Sequence, residues 1–268
     1  MELITSRRNP LVGRLRALHQ PKGRREQGLL LVEGTHQLQE LLRLGLLPEQ
    51  VLATPAWLER HGALLDGLPE ERLQPAGEAV LAAVATTETP DGVVATLPQE
   101  ALPKTKGLGS FVLALDQLQD PGNLGTLMRT ALAAGVDDLW LGGGADPCQP
   151  KVLRASAGAA LALPHRRDPD RSGLAERLAQ ARAAGHHVVA TLVDQAETVP
   201  YWELDWTRPT VLLLGNEGAG LHPELAALAS HRVTIPHSTA VESLNVGVAA
   251  APLLLERWRQ QHNLGLGG

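Results

Sequence analysis

A single cysteine, Cys148, is the only thiol in this 268-residue sequence, which excludes an intrachain disulfide and suits a reducing compartment. Aromatic residues are scarce at 3%, so the cores must be built from Leu, Ala and Val. No uninterrupted apolar run reaches the roughly 20 residues that span a membrane, and the N-terminus lacks an apolar signal region. A cytoplasmic protein without membrane attachment is therefore expected. The ten histidines are scattered and Cys148 has no partner at ligand spacing, so no metal site is expected. The G-x-S-x-G elbow of a Ser–His–Asp hydrolase is missing, as are the dinucleotide fingerprint G-x-G-x-x-G and a P-loop lysine. A net charge of −5 argues against a protein that coats nucleic acid indiscriminately.

Positive charge is nonetheless concentrated at one end. Residues 1–30 hold Arg7, Arg8, Arg14, Arg16, Lys22, Arg24 and Arg25 against only Glu2 and Glu26. Such a run can be a solvated helix face, but its one-sided sign points to phosphate contact. Asn9-Pro10 starts a helical stripe of Leu11, Val12, Leu15 and Leu18. Short apolar runs (28–34, 51–54, 72–74, 92–97) then alternate with amphipathic stretches (36–47, 56–65, 78–85), the pattern of a small α/β domain over residues 1–97. Residues 98–110 are rich in Pro, Gly and Lys and read as a linker. A second α/β unit, 111–268, opens with the run Phe111–Leu115, and its most apolar strand, 210–214, is expected at the centre of a sheet covered on both faces. No internal repeat or low-complexity segment interrupts this order.

Three strand–helix junctions of the second unit carry polar groups. Asn123 stands at the expected start of a helix over 124–134, with Arg129 inside it among Leu127, Met128, Ala131 and Leu132. Gly215-Asn216-Glu217-Gly218-Ala219-Gly220 follows the central strand. Its glycines allow close backbone approach to a ligand, although an ordinary glycine-rich turn reads the same way. Its central carboxylate suits a cationic or hydroxyl-bearing partner rather than a phosphate. Last, Val233–Ile235 leads to a long apolar helix expected from about Glu242, with Ser243 and Asn245 in its first turn, either as simple caps or as site residues. Polar groups at three such junctions imply one shared pocket, because open α/β sheets bind ligands there.

These segments resemble the three motifs of the SpoU (TrmH-type) RNA ribose methyltransferases of the trefoil-knotted SPOUT superfamily. Asn123…Arg129 with Gly135 is similar to motif one, Leu214–Leu221 to motif two, and Ile235-Pro236…Glu242-Ser243-Leu244-Asn245-Val246…Val248-Ala249 to motif three. The run 150–159 matches as well, and Arg8-Asn9-Pro10, Val32-Glu33-Gly34 and 89–92 look like the family's substrate-binding domain. The resemblance implies an α/β fold whose C-terminal parallel sheet is trefoil-knotted, preceded by a small RNA-binding domain. It implies a homodimer through the C-terminal domain, S-adenosylmethionine as cofactor, and methylation of a ribose 2′-hydroxyl. Ribosomal RNA, most simply 23S, is favoured over transfer RNA by the separate N-terminal domain. A transfer-RNA enzyme or a non-catalytic RNA- or cofactor-binding homologue are the alternatives.

Carried over residue by residue, the resemblance implies Asn123, Arg129, Glu217, Ser243 and Asn245 as catalytic. The general base stays open between Arg129 and Glu217, since a guanidinium hardly deprotonates. It implies Thr191, Leu192, Leu214, Gly215, Asn216, Gly220, Ile235, Pro236, Ser243, Leu244 and Asn245 around the cofactor. RNA contact is expected from Arg7, Arg8, Arg14, Lys22, Arg24, Arg25 and Arg154. Two departures stand out: His237 and Thr239 occupy positions where the family usually has Met and Gly, and Pro252, inside the last helix, should kink or end it.

Overall fold

In the computed structural model, which describes residues 2–105, 107–193 and 197–262, Asn9 opens the first helix by accepting the Leu11 N–H at 2.9 Å, with Pro10 next in the first helical position. The elements then run α1 (Pro10–Ala17), α2 (Pro21–Gln27), β1 (Leu29–Glu33), α3 (Thr35–Arg43), β2 (Gln50–Ala53), α4 (Pro55–His61), β3 (Leu73–Pro75), α5 (Glu78–Val84) and β4 (Val93–Pro98). The four strands form one mixed sheet in the order β1-β4-β2-β3, antiparallel except for β2 with β3. Val12, Leu15 and Leu18 of α1 and its C-cap pack with Leu31, Leu52 and Val94 of the sheet and with Val80 and Val84 of α5. This is the Leu/Val core that the composition demands.

After Phe111 the chain builds β5 (Phe111–Leu115), α6 (Pro121–Ala133), β6 (Asp138–Gly142), α7 (Pro150–Ala155), α8 (Ala159–Ala162), β7 (His165–Asp168), α9 (Arg171–Ala183), β8 (His187–Thr191), β9 (Val199–Pro200), β10 (Thr210–Leu214), α10 (Pro223–Ala226), β11 (His231–Thr234) and α11 (Val246–Gln261). The structure divides into two compact units, Met1–Leu102 with Pro147–Ala162, and Pro103–Asp146 with Leu163–Gly268. The run 147–162, read from sequence as part of the second domain, thus belongs to the first unit. The expected linker starts inside β4 at Pro98, and its Lys106 lies outside the described residues.

The second unit holds a seven-stranded sheet in the order β7-β6-β5-β10-β8-β11-β9, with every ladder parallel. As expected, β10 is central and fully buried. Leu174, Leu178 and Ala181 of α9 cover one face beside Val112, Val188 and Val211. Two strands escape the hydrophobic pattern: β7 is His-Arg-Arg-Asp on one edge, and β9 has two residues on the other. Helix α11 runs unbroken through Pro252 for 16 residues, so that proline does not end it. Among the described residues no helix is long and apolar enough to cross a membrane.

Strand order fixes where the polar junctions fall. Sequence neighbours β5, β6 and β7 run outward in one direction, while β10 returns to lie between β5 and β8. Leu115 and Leu214 are register partners at the ends of β5 and β10, so the segments 116–123 and 215–222 leave the sheet side by side. Val233 is likewise paired with Thr191, which brings 192–193 and 235–245 together at the ends of β8 and β11. These are the ends at which parallel sheets build their sites.

Candidate active site

Helix α6 begins earlier than the sequence suggests. Asp120, not Asn123, is its cap: Asp120 Oδ1 accepts the Asn123 N–H at 2.7 Å, and Pro121 takes the first helical position. Freed from capping, the Asn123 side chain links the other two motifs. Its Nδ2 donates to Glu217 Oε1 at 3.3 Å, and its Oδ1 accepts from Asn245 Nδ2 at 3.1 Å. Asn245 caps α11, accepting the N–H groups of Gly247 and Val248 at 2.9 and 3.3 Å. Helix α11 therefore starts at Val246, and Ser243 sits in the preceding loop rather than in a first helical turn.

Glu217 is tied down further by the backbone N–H groups of Gln119 and Asp120, at 3.2 and 3.0 Å. Partial burial is the largest single influence on its carboxyl and pushes the pKa up. The bonds from its own N–H, Asp120, Gln119 and Asn123 outweigh that and hold it below the ordinary 4.5. A carboxylate with its oxygens occupied and its proton affinity lowered is an organiser, not a good proton acceptor. Arg129 lies six residues beyond Asn123 on α6; it is exposed and makes no hydrogen bond or ion pair to the described residues. The structure thus joins Asn123, Glu217 and Asn245 in one chain and leaves Arg129 and Ser243 outside it.

The glycines of 215–220 serve the loop itself. A Cβ on Gly215 would lie 2.3 Å from the Gly220 carbonyl carbon and from Leu221 N. Asn216 and Gly220 exchange backbone bonds of 2.9 and 3.1 Å, and Gly220 has φ +69°. Asn216 turns its side chain inward, accepting from Gly218 and Ala219 N–H and donating to Gln117 O at 2.8 Å. Gln117 reaches that position in the left-handed conformation, φ +50°, uncommon for a residue with a side chain.

A cleft opens at the ends of β8 and β11, lined by Thr191, Leu192, Val193, Thr234, Ile235, His237, Ser243, Leu244 and Ala249. It gathers Thr191, Leu192, Ile235, Ser243 and Leu244 from the residues expected around a cofactor. Leu214, Gly215, Asn216, Gly220, Pro236 and Asn245 are not among its lining residues. Among the described residues Thr191 Oγ1 is buried without a hydrogen-bond partner, an unmet polar group at the edge of a mostly apolar cleft. His237, the departure in motif three, is part of the wall and is fixed by a 2.7 Å bond between its Nδ1 and Ile235 O. Val193 and Thr234 were not legible as site residues, since their role depends on which strands are neighbours.

In the N-terminal unit Arg7, Arg8, Arg14, Lys22 and Arg25 are exposed. Arg24 is not available for RNA: it is 2% exposed, and its guanidinium donates to the carbonyls of Leu18 and His19 at 2.8 and 3.1 Å. Arg154 is also engaged, pairing with Glu33 at 3.1 Å and bonding Thr86 Oγ1. Burial tends to raise the Glu33 pKa, but bonds from Thr87 and Thr86 with the Arg154 charge hold it below the ordinary carboxylate value.

Residues 110–255 match the SpoU rRNA Methylase family, and residues 9–95 match the MRM3-like substrate binding domain. The chain is 44% identical over 266 residues to an uncharacterized tRNA/rRNA methyltransferase of Synechocystis, covering 96% of this chain and 94% of that one. It is 34% identical over 262 residues to the 23S rRNA (guanosine(2553)-2′-O)-methyltransferase RlmP of Bacillus subtilis, covering 95% and 98%. The crystal structure of an AdoMet-bound rRNA methyltransferase from Sinorhizobium meliloti superposes with a TM-score of 0.81 at 32% identity, over 97% of this chain and 98% of that one. With sequence, fold and motif geometry in agreement over nearly its whole length, this chain belongs to the SpoU rRNA methylase family.

Proposed function

We propose that this protein transfers the methyl group of S-adenosylmethionine to a ribose 2′-hydroxyl in 23S ribosomal RNA. The observation that carries the reading is the chain Asn245–Asn123–Glu217, which ties three separate motifs into one polar constellation in the same unit as the Thr191–Leu244 cleft. The likeness to RlmP, named for a 23S rRNA ribose, and the substrate-binding match over residues 9–95 support ribosomal RNA as the substrate.

The cleft suits the cofactor chemically. Thr191 offers an unmet hydroxyl, Ile235 and Leu244 offer apolar surface for an adenine, and Ser243 stands at the wall as a further polar group. The cofactor supplies a methyl on a sulfonium, open to in-line attack by an alcohol oxygen. The chain's own residues then position the ribose. Asn123 and Asn245 hold each other's amide orientation, so the donors and acceptors facing RNA are fixed before it binds, and such positioning is where most of the acceleration arises. Glu217 orients Asn123 and the 119–120 backbone rather than accepting the proton. Arg129, always cationic and without a hydrogen bond or ion pair among the described residues, meets RNA phosphate and stabilises negative charge developing on the 2′-oxygen. The proton leaves to solvent at this exposed site.

The trefoil knot, the cytoplasmic setting and a homodimer through the C-terminal unit belong to the same proposal. Dimerisation is supported by exposed apolar side chains on the packed pair α6 and α11: Leu132, Val248, Leu255 and Trp258 are each more than a third exposed. RNA contact by a substrate-binding domain over residues 1–97 is supported by its exposed Arg7, Arg8, Arg14, Lys22 and Arg25.

The test is methyl transfer from labelled S-adenosylmethionine to ribosomal and transfer RNA lacking the modification, with the ribose positions mapped. One 2′-O-methyl site in 23S ribosomal RNA is expected. Label confined to transfer RNA would overturn the substrate, and no transfer to either RNA would overturn the reading.

A further inference from the structure

Asp116 follows β5 directly and is fully buried, with 0% exposure, so each atom of its carboxylate needs a partner. Both oxygens have one. Oδ1 accepts from Arg171 Nε at 2.9 Å, and Oδ2 accepts the backbone N–H of His222 at 3.1 Å. The backbone N–H of Asp116 in turn donates to Leu214 O at 2.9 Å. Leu214 is the residue before the 215–222 loop and His222 is its last. One residue therefore holds both ends of the loop that carries Glu217.

Between those two anchors the loop lies along the segment that follows Asp116. Asn216 Nδ2 donates to Gln117 O at 2.8 Å, and the Glu217 carboxylate accepts from Gln119 N, Asp120 N and Asn123 Nδ2. Glu217 itself is exposed at the rim, whereas Asp116 is buried at the root. The root bonds thus reinforce, at both ends of the loop, the register in which the rim contacts form. Arg171, at the start of α9, balances the buried charge and draws a third segment into the same joint.

We propose that Asp116 is a positioning residue for methyl transfer: by pinning both ends of the 215–222 loop it sets Glu217, and through Glu217 the amide of Asn123. The role rests on the methyltransferase reading above. Neither Asp116 nor any residue of 215–222 is among the residues lining the Thr191–Leu244 cleft, so cofactor affinity is read separately from turnover in its test.

The substitution that tests it is Asp116→Asn, which keeps the shape. Its single acceptor oxygen can serve Arg171 or His222 but not both, because the other terminal atom is now a donor. The expected result is a kcat lowered about tenfold or more, since small misplacements at a distance cost that much. Affinity for S-adenosylhomocysteine should stay within about twofold of wild type, which separates positioning from a cofactor defect. In a Glu217→Gln background the same change should add less than about twofold, because two residues acting through one contact are not additive. Should Asp116→Asn not accumulate as folded protein, Arg171→Lys, which keeps the charge but loses the Nε geometry, should give the same pattern in milder form. An unchanged kcat, a parallel loss of S-adenosylhomocysteine affinity, or losses that multiply with Glu217→Gln would each overturn the role while leaving the methyltransferase reading intact. A wild-type protein that transfers no methyl group would overturn both.

Discussion

Asn245 donates its side-chain N–H to the side-chain oxygen Oδ1 of Asn123 at 3.1 Å, while its own Oδ1 caps helix α11. The two halves of one amide therefore do two jobs, and substitution can separate them. Asn245→Asp keeps the capping oxygen but loses the donor, so Asn123 must turn and give up Glu217. Its melting temperature should stay close to wild type while kcat falls about tenfold or more. Asn245→Ala should lose the activity and also about 0.5–2 kcal/mol of stability from the missing cap. Thermal melts and single-turnover kinetics on both variants check this, and equal activity in the aspartate variant would remove Asn245 from the site.

The lowered pKa of Glu217 gives a pH prediction of definite sign. A carboxyl held below its ordinary 4.5 in the folded state contributes its organising bonds above that value and loses them only as pH falls through the depressed one. Between about pH 5 and 8 Glu217 stays ionised, so Glu217→Gln should lower kcat without adding or removing a limb from the pH–rate profile. An acidic limb present in wild type and abolished by Glu217→Gln would show that it serves as the general base instead.

Thr191 offers a cleaner test of the cofactor cleft. Its hydroxyl is buried and without a hydrogen-bond partner among the described residues, so Thr191→Val should leave the protein, assayed without cofactor, as stable as before or slightly more so. S-adenosylhomocysteine should bind about five- to tenfold more weakly, the worth of one hydrogen bond of about 1 kcal/mol. Calorimetric titration reads this directly, and unaltered affinity would place the cofactor elsewhere.

In the N-terminal unit, Arg25 is exposed and Arg24 is buried on backbone carbonyls. Arg25→Glu should weaken RNA binding and flatten the salt dependence by about one phosphate equivalent, with the fold unchanged. Arg24→Met should instead destabilise by about 1–3 kcal/mol through unpaired buried carbonyls. Filter binding across a salt series and urea melts of the two variants distinguish these outcomes.

Local sequence was enough for much of the framework. The unbroken apolar run 210–214 could only be a doubly covered strand, and it is β10 at the centre of the sheet. Asn9-Pro10 opens α1 where capping chemistry requires. The three motifs, in order along the chain, were sufficient to place the family, because they carry residue identities that no single fold constraint would dictate.

What the tertiary structure decided is which of those residues meet. Asn123 is 94 residues from Glu217 and 122 from Asn245; the first contact follows from β10 returning to pair with β5, and the second goes with the packing of α11 on α6. The start of α6 moved for a local reason: an asparagine near a helix end reads as a cap until a neighbour such as Asp120 takes that role. The edge strands His165–Asp168 and Val199–Pro200 carry no hydrophobic signature, since one is polar and the other is too short to show a period. Charge alone could not reveal that Arg24 folds inward while Arg25 faces water, because that choice depends on which carbonyls the end of α1 leaves unpaired. Composition and periodicity determine which elements form; the pairing of strands distant in sequence determines which polar groups share a site, and pairing is a property of the whole chain.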